Sequence, residues 1–147
     1  MLMIPADRAP PYAGGIFALD VRFPDEYPRA PPEIKWATQI WHPNVNDATG
    51  ETCGLRVLEE RNWSPVVVLR HVLLDLETLM GEPDLEKAAE ASKAVAYVEN
   101  RIEYERMARK WTRGFAMERS GDRGNEYGEE KDVFGGEERG QKMAGLA

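Results

Sequence analysis

The chain is poor in cysteine and histidine. It has 147 residues, with a single Cys, Cys53, and two His, His42 and His71. One thiol excludes an internal disulfide, and these three side chains fall short of the four that a structural zinc site takes. No metal or other cofactor is therefore expected. A lone free thiol suits a reducing compartment, so the expected location is the cytoplasm, the nucleus or both. Basic charge is also scarce: 19 Lys and Arg stand against 26 Asp and Glu, a formal net charge of -7. That balance offers little to neutralise a phosphate backbone, and nucleic acid is not an expected partner. There is no apolar run of about eighteen residues, so neither a membrane-spanning helix nor a membrane partner is expected. The opening Met1-Leu2-Met3-Ile4-Pro5 has no basic leader of the kind a signal peptide carries. What is present is an ordinary apolar fraction of 42%, enough for one domain with its own core.

Proline and glycine divide the chain. Eight of the ten prolines lie within the first 43 residues, and proline removes a backbone donor and fixes φ, so strands and turns are expected there. Phe17, Leu19, Val21 and Phe23 alternate with Ala18, Asp20 and Arg22, the period of a half-buried strand. A second short strand is expected over 33–38. From Ser64 the period becomes helical, with Leu69, Val72, Leu73, Leu76 and Met80 on one face. Ser64-Pro65 reads as the entry and Gly81 with Pro83 as the stop. Residues 85–113 contain no proline or glycine and read as one long helix or two with a bend. Eight of the thirteen glycines fall at or after Gly114. Residues 119–147 are expected to form a disordered, glycine- and charge-rich tail behind a core of 1–118. The fold class expected is α+β: a small antiparallel meander, an irregular loop, then C-terminal helices.

The stretch 40–63 is too polar for a helix and does not alternate. A long irregular loop in a small domain is usually functional or disordered, and Cys53 sits in its middle. His42, Asn44 and Asn46 precede it. A thiol can be a nucleophile, and an amide NH₂ can stabilise a developing oxyanion without carrying charge. The bland readings are equally physical. A lone Cys is more often a small buried hydrophobe, a lone His a structural hydrogen-bonder, and Asn at a turn simply turn chemistry.

Several short motifs in a fixed order break that tie. Pro11-Tyr12-Ala13-Gly14-Gly15-Ile16-Phe17, Phe23-Pro24-Asp25-Glu26-Tyr27-Pro28 with Pro31-Pro32, Ile40-Trp41-His42-Pro43-Asn44, Cys53, Trp63-Ser64-Pro65, and the stretch from Glu103-Tyr104-Glu105 to Ala108-Arg109-Lys110-Trp111 together resemble the ubiquitin-conjugating enzyme superfamily. The resemblance covers about residues 3–115. It implies a conjugating enzyme that accepts ubiquitin or a ubiquitin-like modifier from an activating enzyme as a thioester on Cys53. The modifier then passes to a lysine of a protein substrate, usually with a ligase. Asn44 would stabilise the oxyanion during lysine attack, and His42 and Pro43 would brace the active-site loop. Trp36 and Pro65 sit where family members contact ligases. Asp84 and Glu86 are candidates for an acidic gate facing the incoming lysine, because Lys87 occupies the position where many members carry an acid.

This sequence also departs from the family pattern. Gly54 follows the cysteine where Leu is usual, and the spacings from His42 to Cys53 and from Cys53 to Trp63 are slightly long. The family's N-terminal helix and first strand have no counterpart ahead of Met1. The expectation on that ground is a marginally stable or self-associating chain that is charged slowly, or a weakly active variant. A non-catalytic binding protein of the same fold is the alternative reading. A cysteine protease using Cys53, His42 and Asn44 has little support, since His and Cys would lie in one loop.

Overall fold

Alternation of apolar residues builds the sheet in the computed structural model, which describes residues 1–117. The central strand β2 (Ile16–Arg22) pairs antiparallel with β1 (Leu2–Pro5) on one side and β3 (Glu33–Trp36) on the other. The register sets Ile4 opposite Phe17 and Leu19 opposite Trp36. A pleat with period two then brings Ile4, Phe17, Leu19, Ile34 and Trp36 into the buried core. The antiparallel meander is the one expected, and the strand expected over 33–38 ends at Trp36.

Among the described residues three α-helices follow. α1 (Leu69–Gly81) buries Val72, Leu76, Leu79 and Met80 in the same cluster as Phe17 and Leu19. This helix begins later than Ser64-Pro65 suggested. Ser64 instead closes a turn by accepting from Val67 N at 2.9 Å, and Val68 remains extended. Three successive β-branched residues, Val66 to Val68, are poorly suited to helix because each has restricted χ1 freedom there. The helix stops at Gly81, where Pro83 prevents continuation.

The proline-free stretch 85–113 is divided. A 3₁₀ turn (Leu85–Lys87) leads into α2 (Ala91–Glu99), and α3 (Arg101–Trp111) follows at once. Asn100 makes the break: its φ of -142° lies outside the helical range and its side chain accepts from Glu103 N. That is N-cap chemistry in mid-run, and it favours a new helix over a continued one. Tyr97 and Tyr104 meet edge to face across the break at 5.0 Å. Tyr104 donates to Tyr12, whose own hydroxyl donates to Trp41 O at 2.6 Å. Helix α3 is thereby tied to the front of the chain and to the residue before His42. The expected tail, 119–147, lies outside the described residues.

Candidate active site

Residues 40–55 form no helix, and a single 3₁₀ turn (Arg56–Leu58) follows. The chain doubles back through an isolated bridge between Val45 and Thr52, and Cys53 N donates to Asn44 O at 2.7 Å. The turn that permits this is local chemistry. Asn46 Oδ1 accepts from Ala48 N and Thr49 N, and Gly50 adopts φ +72°. A Cβ at Gly50 would stand 2.3 Å from Trp36 O, so only glycine fits. This turn lies at the far end of the hairpin from the thiol. Asn44 and Cys53 are thus brought side by side. Asn44 is fully buried while Cys53 is exposed.

His42 is buried beneath them. Its Nε2 lies 2.9 Å from Leu79 O, and its Nδ1 lies 3.0 Å from Asn44 N. A carbonyl can only accept and a backbone amide only donate, so the proton is on Nε2 and both ring nitrogens are committed. Burial pushes the imidazole down to about 4, so it stays neutral at physiological pH and serves as a brace. The sign of the pH effect follows. Below its ordinary value of 6.5, an unfolded chain takes up a proton that the folded chain refuses. Stability carried by this group is full above pH 6.5 and is lost as pH falls toward about 4, a window worth about 3 kcal/mol. Urea titrations at several pH values should show that loss in the wild type and a shallower one in His42→Gln. Equal slopes would place the acid sensitivity elsewhere.

Asn44 has its amide committed on both sides. Nδ2 donates to Asp84 O at 2.7 Å and to Lys87 O at 3.2 Å, while Oδ1 accepts from Asp84 N at 3.0 Å. Pro43 O accepts from Ala89 N and Glu90 N. The His-Pro-Asn segment therefore seats the 84–90 segment beside the cysteine. For Asn44 to donate directly to an oxyanion, one of these two bonds would have to open. Gly54 makes the close approach possible. Its φ is +83°, and a Cβ there would come within 3.0 Å of both Asn44 Nδ2 and Asp84 Cβ. Gly54→Ala should cost about 1–2 kcal/mol through the left-handed backbone alone. A melting-temperature drop should register it, and wild-type stability would show that the backbone at 54 relaxes freely.

Charged pairs span the same opening. Arg56 meets Asp84 at 3.2 Å, and Lys87 pairs with Glu59. Lys87 and Arg61 hold the Glu59 carboxyl below its ordinary range. The acidic-gate candidates divide here. Asp84 also accepts from Glu86 N as the cap of the 3₁₀ turn, so it has structural duties, whereas Glu86 is exposed. The ligase-contact candidates divide too. Pro65 is exposed beside an exposed Val66. Trp36 is a correction: it is buried, packs edge to face on Phe17 at 5.6 Å and donates to Thr52 Oγ1. Its indole is core and offers no docking surface, because β3 turns it inward with Ile34. Glu59, Arg56 and Lys93 were not singled out from the sequence. Their signal is pairing with Lys87, Asp84 and Asp47, residues 28 to 46 positions away, which no local pattern reveals.

Comparison with known proteins bears on this geometry. The family model described as ubiquitin-conjugating enzyme matches residues 1–112. Ubiquitin-conjugating enzyme E2 27 of Arabidopsis thaliana is 35% identical over 117 residues, covering 80% of this chain and 60% of that protein. Ubiquitin-conjugating enzyme E2 1 of Schizosaccharomyces pombe is 37% identical over 111 residues, covering 76% and 50%. The chain thus spans between half and three-fifths of the length of these two relatives. Among solved structures, a Plasmodium yoelii protein assigned as a ubiquitin conjugating enzyme superposes with a TM-score of 0.73 at 35% identity, covering 80% of this chain and 75% of that one. The E2 domain of a Toxoplasma gondii ubiquitin conjugating enzyme gives 0.72 at 36% identity, covering 78% and 77%.

Proposed function

This chain belongs to the ubiquitin-conjugating enzyme family, and from that premise we propose that Cys53 carries ubiquitin or a ubiquitin-like modifier as a thioester. The observation that carries the reading is an exposed Cys53 whose backbone N–H donates to the carbonyl oxygen of a buried Asn44, itself held by its committed side-chain amide. In loading, the Cys53 thiolate attacks the carbonyl of a modifier thioester on an activating enzyme. A new C–S bond forms at Cys53, the old one breaks, and the activating enzyme's sulfur leaves as thiolate. In discharge, a neutral substrate lysine attacks the same carbonyl, an amide forms, and Cys53 leaves as thiolate while the lysine nitrogen loses a proton to water or a nearby base.

A thioester is already activated, so the site needs no strong base or conventional triad. It must orient the amine and limit its contact with water. His42 is neutral and internally bonded, consistent with bracing instead of proton transfer. The 84–87 segment, seated by Asn44, lines the approach to Cys53, with Glu59 and Lys87 neutralising one another at its edge. An activating enzyme and a protein substrate are the partners this chemistry requires, usually with a ligase. The test is incubation with ATP, an activating enzyme and a panel of modifiers. A mass shift reversed by thiol reductant is expected with at least one modifier. No adduct with any of them would overturn the reading in favour of a binding protein of the same fold.

A further inference from the structure

A lysine is buried where an apolar residue would suffice. Lys93 is 2% exposed. Its ammonium lies 4.5 Å from the centre of the Trp41 ring and 5.3 Å from that of Trp111, and it pairs with Asp47. Lys93 also stands in the first turn of α2, where the helix dipole disfavours a cation. Desolvating an ammonium costs several kcal/mol, and a well-packed apolar replacement for such a pair is often neutral or stabilising. Two ring faces and one carboxylate offset that cost. They add no hydrophobic burial beyond what a methionine would provide. Stability therefore gives no reason for the charge, whereas geometry does.

Two of the three partners, Asp47 and Trp41, lie in the active-site loop, and the third, Trp111, ends α3. Asp47 is in the hairpin's turn, and Asp47 N donates to Glu90 Oε1, on the residue that immediately precedes α2. Trp41 immediately precedes His42. Asn46 N donates to Glu51 O, Gly50 N to Asn46 O, and Cys53 N to Asn44 O, so the height of this turn is transmitted along the ladder to the thiol. The charge is also felt at His42, whose imidazole it helps keep unprotonated.

We propose that Lys93 is a positioning residue for Cys53: clasped by Trp41, Trp111 and Asp47, it fixes the 44–53 hairpin against α2 so that the thiol and the seated 84–87 segment face each other correctly. The inference deepens the conjugating reading and rests on Cys53 as the acyl carrier. It is tested in the full chain with Lys93→Met, Lys93→Arg and Asp47→Asn. Lys93→Met keeps the apolar stem and should melt no lower than the wild type. Its Gly50 and Cys53 amides should nevertheless exchange about tenfold faster, because the hairpin opens locally. Discharge at saturating lysine should slow about tenfold or more, with the half-saturating lysine concentration unchanged, since misplacement of a reacting atom lowers rate rather than binding. Lys93→Arg should recover part of the rate by restoring a cation between the rings. Asp47→Asn, altered at the solvent side, should reproduce the faster exchange even where Lys93→Met folds poorly. Native exchange at Gly50 and Cys53 in both Lys93→Met and Asp47→Asn would overturn the proposal and leave an ordinary buried ion pair. Wild-type discharge in folded Lys93→Met would do the same. If the wild type forms no thioester with any modifier, the conjugating reading falls, while the exchange measurements still decide whether Lys93 fixes the hairpin.

Discussion

Replacing Cys53 with serine should convert a reductant-labile modifier adduct into a reductant-resistant one, and replacing it with alanine should abolish the adduct altogether. The reason is the leaving group. A thioester is cleaved readily by external thiols because a thiolate departs easily, whereas an oxyester must expel a far more basic alkoxide. The same difference should leave the Cys53→Ser adduct nearly inert toward lysine, so the variant should accumulate charged protein. The effect is all or none because Cys53 is the one thiol in the chain. Denaturing gels with and without reductant, followed by mass spectrometry of the charged species, provide the measurement. An adduct on Cys53→Ala, or one on Cys53→Ser that reductant removes, would place the carrier outside residue 53.

Asn44→Ala should slow discharge to lysine about a hundredfold while loading falls much less. Truncation leaves Asp84 O, Lys87 O and Asp84 N without their partners. Each buried unsatisfied group costs about 1–3 kcal/mol, so the 84–87 segment should lift away from the site. Loading depends on an exposed thiol whose backbone bond to Asn44 O survives the substitution. Discharge depends on an amine aligned against that segment. Single-turnover assays of both steps separate them, and amide exchange at Asp84 reports the segment directly. Slow discharge with Asp84 still protected would mean that Asn44 acts as a direct oxyanion donor. Equal losses in both steps would mean that the whole hairpin has collapsed.

The two variants probe parts of the site that were not equally visible in the sequence. The sheet was legible because alternation at residues 17–23 depends only on which side chains face the core. Helix α1 was legible because its apolar residues recur every three or four positions. Its start was misplaced, since Ser64-Pro65 satisfies the local rules for a helix entry while Val66 to Val68 resist helical χ1 angles. The division at Asn100 was undecided for a related reason: Asn is tolerated within a helix, and only its non-helical φ and its bond to Glu103 N make it a cap.

By itself, the sequence determined the family, the α+β order of elements and the identity of the thiol, because motif order, periodicity and a lone cysteine are properties of the chain read end to end. Tertiary structure alone decided what the residues around that thiol do. Trp36 reads as a surface aromatic until the register of β3 turns it into the core. Asn44 reads as a free amide until the 84–87 segment takes both of its protons. Gly54 reads as a departure from pattern until its positive φ and its contact with Asp84 show why a side chain does not fit there. Lys93 carries no local signal in the sequence, and only the fold closes Asp47, Trp41 and Trp111 around it. In each case the deciding partner lies far along the chain. Hydrogen bonds, ring contacts and steric limits act over a few ångströms in space, and separation in sequence does not encode that distance.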